Sequence, residues 1–256
     1  MIDQVTWYPS YAGDRTLVLE FGSTIDKTLV ARVAALDTRI QQQRKTGLLI
    51  GIEETIPTFR SLAIIYDPLQ VHPDRLIEQI RNLSSTEIEP DTETHSHWLI
   101  PVCYGNAKGP DLDEVAELTK LPAEKVISLH QQCEFNVYML GFLPGFAFLG
   151  DTPAALHLPR KSEPRLRVPA GSVAIAMQLT GIYPWDSPGG WHILGNCPVP
   201  LFQSRLEPPA LFQTGDRVSF RAIDDAEFDH ISGAVNANSF DRQSLLLGEA
   251  NSGKQQ

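Results

Sequence analysis

Three segments in the C-terminal half of the chain combine residue types that could bind a small polar ligand. The first, residues 141–150, alternates glycines with phenylalanines in the order Gly-Phe-Leu-Pro-Gly-Phe-Ala-Phe-Leu-Gly. Glycine lets the backbone turn sharply or approach a ligand closely, and the aromatic rings could wall an apolar pocket. A buried turn packed by phenylalanines is the alternative interpretation. The candidate ligand-binding residues here are Gly141, Pro144, Gly145 and Phe146.

The second segment, residues 159–173, places four cations within eight residues of an otherwise acidic protein. They are Arg160, Lys161, Arg165 and Arg167, with prolines on either side that stiffen the loop. The planar arginine fork suits a carboxylate or a phosphate. In an extended segment, Arg165 and Arg167 would share one face. We expect this loop to bind an anion, unless it is a solvated basic loop or an ion-pair partner of acidic neighbours.

The third segment, residues 180–192, carries aromatic residues around a Ser-Pro-Gly-Gly sequence that favours a type II turn. Asp186 and His192 could transfer a proton or bind a polar group, although a histidine beside a tryptophan can equally be structural. The candidates for catalytic groups are therefore Arg165, Arg167 and His192, without a clear nucleophile and base. The candidate ligand-binding residues of this segment are Tyr183, Gly189, Gly190 and Trp191.

Other signatures of catalysis are missing from the sequence. Cys103, Cys133 and Cys197 lie far apart, without zinc-site spacing, so we expect free thiols and no metal site. No glycine-rich loop ends in Gly-Lys-Ser or Gly-Lys-Thr, and no Gly-x-Ser-x-Gly sequence occurs. The residues alone therefore favour a binding protein, or a protein that contributes part of a site.

Charge and hydropathy restrict the classes of binding partner and the cellular compartment that we expect for this protein. The formal net charge of −10 repels phosphate backbones, so nucleic-acid binding is not expected. No apolar run approaches the roughly 20 residues of a membrane span. The start, Met1 to Gln4, has neither a basic region nor the apolar stretch of a secretory signal. These features predict a cytoplasmic protein that does not enter a membrane.

The elements that position these segments divide the chain in two. Apolar residues at spacings of four, four, three and four predict an amphipathic helix over 25–45. Together with a second helix from 72 and with predicted strands, this gives the order β-α-β-β-α-β, a ferredoxin-like arrangement assigned to residues 1–95. The predicted strands are 14–21, 48–56, 59–66 and 98–104.

The second half has a different character. Two short helices are predicted from 109 and 122, and glycine and proline become dense from about residue 135. Short strands without helical periodicity predict an all-β barrel or sandwich, assigned to residues 96–240 with the two short helices leading it. Residues 241–256 are predicted to be a disordered tail.

The three segments resemble the subunit-1 half of the allophanate hydrolase/carboxyltransferase family. The shared motifs are Gly-Phe-x-Pro-Gly-Phe-x-x-Leu at 141–149, Pro-Arg-x-Arg-Val-Pro-Ala-Gly-Ser-Val at 164–173 and Tyr-Pro-x-x-Ser-Pro-Gly-Gly-Trp at 183–191. Pro-Val-Cys-Tyr-Gly at 101–105 and Gly-Pro-Asp-Leu at 109–112 match as well. The resemblance covers about residues 5–221. One departure is the sequence Gly-Asn-Cys-Pro at 195–198, where relatives often have Gly-Arg-Thr-Pro, so an anion-binding role for that corner is not expected.

The resemblance implies an α+β protein, with an N-terminal ferredoxin-like α/β domain followed by a cyclophilin-like β-barrel domain. The family includes the B subunit of 5-oxoprolinase, Kip-type inhibitors of sensor histidine kinases, and half of the carboxyltransferase domain of urea carboxylase. The implied reaction is the ATP-dependent conversion of 5-oxo-L-proline to L-glutamate by a complex with separate A and C subunits. The C subunit would be the complementary half, the complex would use ATP, and this chain would be inactive alone. Kinase inhibition and a carboxyltransferase half remain the alternatives.

Overall fold

A computed structural model describes residues 7–84 and 95–250. The chain divides into two compact units, Met1–Glu93 and Thr94–Gln256. None of the helices within the described residues is long and apolar enough to cross a membrane.

The first unit packs two helices against an antiparallel sheet. The helices are α1 (Lys27–Lys45) and α2 (Pro73–Ser84), and the strands are β1 (Tyr8–Tyr11), β2 (Thr16–Glu20), β3 (Ile52–Pro57) and β4 (Ser61–Tyr66). The strand order is β1-β2-β4-β3. One apolar core holds side chains of both helices and the sheet, among them Leu36, Ile80 and Leu62. Their burial from water is the main stabilising contribution in this unit.

Helix α1 begins and ends at local signals. The carboxylate of Asp26 accepts hydrogen bonds from the N–H groups of Thr28 at 2.7 Å and Leu29 at 3.0 Å, which satisfies donors that the first turn leaves free. The helix stops before Gly47, whose φ of +76° favours glycine. The helix predicted over 25–45 is confirmed.

The predicted β-α-β-β-α-β order of this region is wrong. The strand that includes residues 98–104 does not pair with this sheet. Strand β1 occupies the place beside β2 instead, and the turn between them contains Gly13 at a φ of +70°. The order within the first unit is therefore β-β-α-β-β-α, because a local hairpin supplies the edge strand.

Within residues 95–250, the second unit has ten strands and three α-helices. The strands are β5 (His95–Tyr104), β6 (Phe135–Leu140), β7 (Ala147–Gly150), β8 (Arg165–Val168), β9 (Ser172–Ala176), β10 (Leu179–Ile182), β11 (Ser187–Gly189), β12 (His192–Asn196), β13 (Arg217–Ala222) and β14 (Leu246–Ala250). The helices are α3 (Leu112–Thr119), α4 (Ala123–Gln131) and α5 (Asp225–Asn236).

Seven of these strands close into a barrel. The order is β12-β9-β10-β7-β6-β13-β5, and β5 pairs with β12 to complete the ring. All neighbours are antiparallel except β5 and β13, which run parallel. The ten-residue strand β5 also pairs with β14, while β8 and β11 form a separate two-stranded sheet. The expectation of a β-barrel in the second half is confirmed.

Two buried polar groups tie distant parts of the barrel together. The carboxylate of Asp216 accepts hydrogen bonds from the indole N–H of Trp98 and from the backbone N–H of Ser96, each at 2.9 Å. The ring nitrogens of His130 lie 2.7 Å from the Tyr104 hydroxyl and 2.9 Å from the Thr180 hydroxyl. Burial lowers the pKa of His130 to about 3, so this histidine is neutral in the core.

The C-terminal part of this unit corrects two expectations. Helix α5 was not predicted. It begins at Asp224, whose carboxylate accepts a hydrogen bond from the N–H of Glu227 at 2.8 Å. The predicted disordered tail is wrong for residues 242–250, which form a 3-10 turn and strand β14, because Leu245 is buried in the barrel core and β14 pairs with β5. Residues 251–256 lie outside the described residues.

Candidate functional site

A cavity of about 290 Å³ in the second unit brings together residues of all three segments singled out in the sequence. Five of its eleven lining residues are aromatic and two are cations. The lining residues are Phe142, Phe146 and Phe148 from the first segment, Arg160, Lys161 and Pro164 from the second, and Tyr183, Pro188, Gly189, Gly190 and Trp191 from the third.

The aromatic wall is organised around Phe146. Its ring centroid lies 4.8 Å from that of Phe148, 5.3 Å from Tyr183 and 5.8 Å from Trp191. Phe146, Tyr183 and Trp191 are buried, whereas Phe142 is 63% exposed at the edge of the cavity. Aromatic rings packed edge to face in this way hold a stable, apolar surface for a small ligand.

The turn that carries Phe146 depends on its glycine. Gly145 has a φ of +83°, and a Cβ placed there would lie 2.6 Å from the Cβ of Phe202. The carbonyl of Pro144 accepts a hydrogen bond from the indole N–H of Trp185 at 3.0 Å. Gly141, Pro144 and Gly145 are not among the lining residues. They shape the turn that presents the phenylalanines.

A buried carboxylate anchors the cationic loop. Asp111 is only 2% exposed, and its Oδ1 lies 2.5 Å from Arg165 Nη2 and 3.3 Å from Lys161 Nζ. Its Oδ2 accepts a hydrogen bond from the N–H of Ile193 at 2.7 Å. Lys161 also forms an ion pair with Glu114. The loop is therefore fixed to the start of α3 and to β12 by charge-assisted hydrogen bonds.

The electrostatics of Asp111 follow from these partners. Burial alone raises the pKa of Asp111, but hydrogen bonds from Arg165 and the Ile193 N–H, with the charges of Arg165 and Lys161, outweigh it and hold the pKa below its usual value. Asp111 is thus ionised at neutral pH. The sequence prediction missed this residue, although the Gly-Pro-Asp-Leu motif contains it. The glycine of that motif, Gly109, packs so closely on β12 that a Cβ would lie 2.0 Å from the Leu194 carbonyl oxygen.

Among the predicted cations, Arg160 differs from the rest. It lines the cavity, its side chain is exposed, and it makes no ion pair with any residue in 7–84 or 95–250. Arg165 is engaged by Asp111, and Arg167 pairs with Asp186 at 2.5 Å with its side chain 77% exposed. The guanidinium of Arg160 therefore lines the cavity without a carboxylate partner among the described residues.

His192 and Asp186 have separate partners. The buried His192 has its Nε2 2.9 Å from the carbonyl oxygen of Pro159, and it does not line the cavity. Asp186 accepts the N–H of Ala170 at 2.8 Å, and this bond together with Arg167 keeps its pKa below the usual value. His192 therefore contacts the start of the cationic loop, and none of the three catalytic candidates, His192, Arg165 and Arg167, is among the residues that line the cavity.

Comparison with known proteins places this architecture in a family. Residues 7–212 match the family described as carboxyltransferase domain, subdomain C and D. The chain belongs to this carboxyltransferase-domain family. The match spans the three cavity-forming segments and Asp111, so the pocket lies within the shared part of the family.

Three proteins of named function resemble this chain along most of its length. The B subunit of 5-oxoprolinase from Bacillus subtilis (strain 168) is 39% identical over 226 residues, which are 84% of this chain and 92% of that protein. The corresponding B subunit from Haemophilus influenzae is 46% identical over 188 residues, covering 71% and 87%. That from Escherichia coli O157:H7 is 36% identical over 211 residues, covering 81% and 92%.

Solved structures show the same fold in different contexts. TTHA0988 superimposes with a TM-score of 0.72 at 37% identity, over 82% of this chain but only 40% of that one. The uncharacterized protein PH0987 of Pyrococcus horikoshii gives 0.51 at 38% identity, covering 86% and 100%. The Kluyveromyces lactis urea amidolyase gives 0.75 at 19% identity, over 93% of this chain and 16% of that one, a likeness of fold alone.

Asn196, which the sequence singled out as a departure from the resembling family, does not line the cavity. Asn196 lines a separate groove of about 280 Å³, where its side-chain amide donates a hydrogen bond to the Ala170 carbonyl at 3.0 Å. Gly171 fits against it, since a Cβ there would lie 2.6 Å from Asn196 Oδ1. Asn196 therefore belongs to this groove and not to the cavity that Arg160 lines.

Proposed function

We propose that this chain is the B subunit of an ATP-dependent 5-oxoprolinase, which opens 5-oxo-L-proline to L-glutamate together with the A and C subunits. Three proteins named as B subunits of 5-oxoprolinase, 36–46% identical over most of the chain, support this assignment. The single structural observation that carries it is the aromatic cavity with the unbalanced guanidinium of Arg160.

The shape and charge of the cavity suit this ligand. 5-Oxoproline is a five-membered lactam ring with one carboxylate. The cavity volume of about 290 Å³ is just below the range of roughly 300–1,000 Å³ for sites of drug-sized ligands, which suits a ligand as small as this one. The ring would lie against Phe146 and Trp191, and the carboxylate would pair with Arg160, because a guanidinium binds a carboxylate through two parallel hydrogen bonds.

The chemistry requires more than this chain. The lactam amide is stable, so its opening needs activation, for which ATP supplies a phosphoryl group. A single free guanidinium matches one carboxylate better than a triphosphate, so we propose that the other subunits hold most of the ATP. The residues of this chain would bind and orient the lactam and limit the access of bulk water while the phosphoryl group is transferred, and one water molecule would then attack the activated carbonyl, break the ring C–N bond and release phosphate. The C subunit would then complete the site that this barrel leaves open.

The test is a reconstituted complex of this chain with candidate A and C subunits. The measurements are 5-oxoproline-dependent ATP hydrolysis and glutamate formation. Arg160→Ala should raise the KM for 5-oxoproline by about tenfold to a hundredfold, the cost of losing a hydrogen bond to a charged group. Arg75→Ala is the matched control, since Arg75 is an exposed arginine of α2 in the other unit.

Two outcomes contradict the proposal. One is a wild-type complex that forms no glutamate from 5-oxoproline. The other is a chain that adds nothing to turnover by its two partner subunits but inhibits autophosphorylation of a sensor histidine kinase, which would favour the kinase-inhibitor alternative.

A further inference from the structure

The hydroxyl of Tyr183 and Gly189 approach each other unusually closely at the cavity. A Cβ at position 189 would lie 2.4 Å from Tyr183 Oη and 2.9 Å from two atoms of its ring. The φ of Gly189 is outside the left-handed region, so the backbone itself would accept other residues. Glycine is required at 189 because the hydroxyl and the adjacent ring edge of Tyr183 occupy the space of a side chain.

The Tyr183 hydroxyl keeps a proton that no described residue accepts. The backbone N–H of Trp191 lies close enough to lower the pKa of the Tyr183 hydroxyl. The side chain is 2% exposed, and buried tyrosine hydroxyls usually find a partner for their own proton. Burial raises the pKa of Tyr183, and the nearby charges of Arg160 and Arg165 only partly oppose this, so the phenol stays protonated at neutral pH.

Two donor side chains of the cavity lining can act on the same ligand group. Arg160 and Tyr183 line one cavity, and the charge of Arg160 acts on the Tyr183 hydroxyl. Lys161, the other cation of the lining, is already paired with Asp111 and Glu114. A ligand group that meets a guanidinium and an O–H donor must offer acceptors, and a carboxylate does so with both oxygens.

We propose that the Tyr183 hydroxyl and the Arg160 guanidinium together bind one ligand carboxylate, and that this pair makes the cavity selective for small cyclic acids over their neutral amides. Gly189 is the positioning residue that leaves room for the hydroxyl. An amide would turn N–H groups toward these donors and leave one of them unpaired, which binding sites reject strongly. This inference rests on the proposed function, in which the acid is 5-oxoproline.

A double-mutant cycle in the reconstituted complex tests the inference. Tyr183→Phe should raise the KM for 5-oxoproline about tenfold to a hundredfold, with a smaller change in kcat. Gly189→Ala should have a comparable effect, because its methyl group displaces the phenol oxygen. The double variant should be little worse than the more damaged single variant, since both changes remove the same hydrogen bond.

Two controls separate this role from a structural one. Tyr8→Phe changes an exposed tyrosine, and Gly233→Ala adds a methyl group to α5 where nothing lies within 4 Å, so neither should change KM. The amide of 5-oxoproline serves as a competing ligand. In the wild type, the inhibition constant of the amide should be much larger than the KM of the acid. In Tyr183→Phe, the two values should become more similar. A general loosening of the fold would weaken both ligands and leave their ratio unchanged.

Different results would overturn the proposed function, the role of Tyr183 and the role of Gly189. A wild-type complex with turnover, combined with an unchanged KM and an unchanged acid-to-amide ratio in Tyr183→Phe, overturns this inference alone. Additive effects of the two single variants overturn the positioning role of Gly189. A wild-type complex without turnover on 5-oxoproline overturns the proposed function and this inference with it.

Discussion

Replacing Asp111 by asparagine is the most direct perturbation of the anchored cationic loop. Asparagine has nearly the same size and keeps an oxygen that can accept the Ile193 N–H, but it carries no charge. Arg165 and Lys161 then lose the carboxylate at 2.5 Å and 3.3 Å that balances them. The variant therefore isolates the electrostatic contribution of Asp111 from its packing.

The expected magnitude follows from burial. Removing one partner of a buried ion pair costs about 3–5 kcal/mol. The Arg165 side chain is 30% exposed and Lys161 retains Glu114, so part of each charge finds solvent or another partner. We expect the low end, about 3 kcal/mol. For a unit of this size, Tm shifts by about 2–4 °C per kcal/mol, so Tm should fall by about 6–12 °C.

Calorimetry and urea unfolding of the isolated chain measure this change. Asp186→Asn is the matched control, because Asp186 also pairs with an arginine of the same loop but is exposed to solvent. We expect Asp186→Asn to leave Tm nearly unchanged. If both variants shift Tm equally little, the buried carboxylate does not anchor the loop as argued.

The pH dependence supplies a second signature. The pKa of Asp111 is lower in the folded protein than in the unfolded chain, so its contribution is fully present above the unfolded value of about 3.9. It is lost as pH falls through the lower folded value. The difference in urea midpoint between wild type and Asp111→Asn should therefore narrow below about pH 4. A difference that stays constant down to pH 3 would contradict the assigned pKa direction.

Two further predictions concern the core and the glycine turn. Burial lowers the pKa of His130 to about 3. Below about pH 6.5, His130 is therefore protonated in the unfolded chain but still neutral in the folded chain. The free energy of unfolding should therefore decrease by up to about 1.4 kcal/mol for each pH unit below that value. Urea unfolding of His130→Gln at several pH values should lack this contribution. The same pH dependence in the variant and the wild type would contradict the prediction. Gly145→Ala should lower Tm more than Gly13→Ala, since both have a positive φ but only Gly145 faces Phe202 at 2.6 Å; equal shifts in calorimetry would refute the clash.

Local patterns predicted the elements that depend on local signals. Helix α1 followed from the spacing of its apolar residues, and the structure buries Val33, Leu36 and Ile40 on that face. Helix α5 has weaker signals, with an Asp224 cap and a partly buried apolar face around Phe228 and Ile231, and it was missed within a region dense in short strands. A helix of this kind owes its position to the barrel it covers.

Local sequence patterns did not predict the contacts between segments that are far apart in the chain. A strand over 98–104 was predicted, but its alternation does not say which sheet contains it. Asp111 was missed for the same reason, since its partners Lys161 and Arg165 are 50 and 54 residues away. Strand alternation suggested that Arg165 and Arg167 act together, whereas each pairs with a different carboxylate.

The pairing of β5 has a consequence for how the chain is made. Its parallel neighbour β13 leaves the ribosome 120 residues later, and β14 later still. At about 5–20 residues per second, β5 waits roughly 6–24 s with hydrogen-bonding edges open to wrong partners. The pairings of the first unit all lie within residues 8–66, so that unit can fold during translation. The nascent barrel, and not the N-terminal unit, is therefore the part of this protein that most needs shielding in the cell.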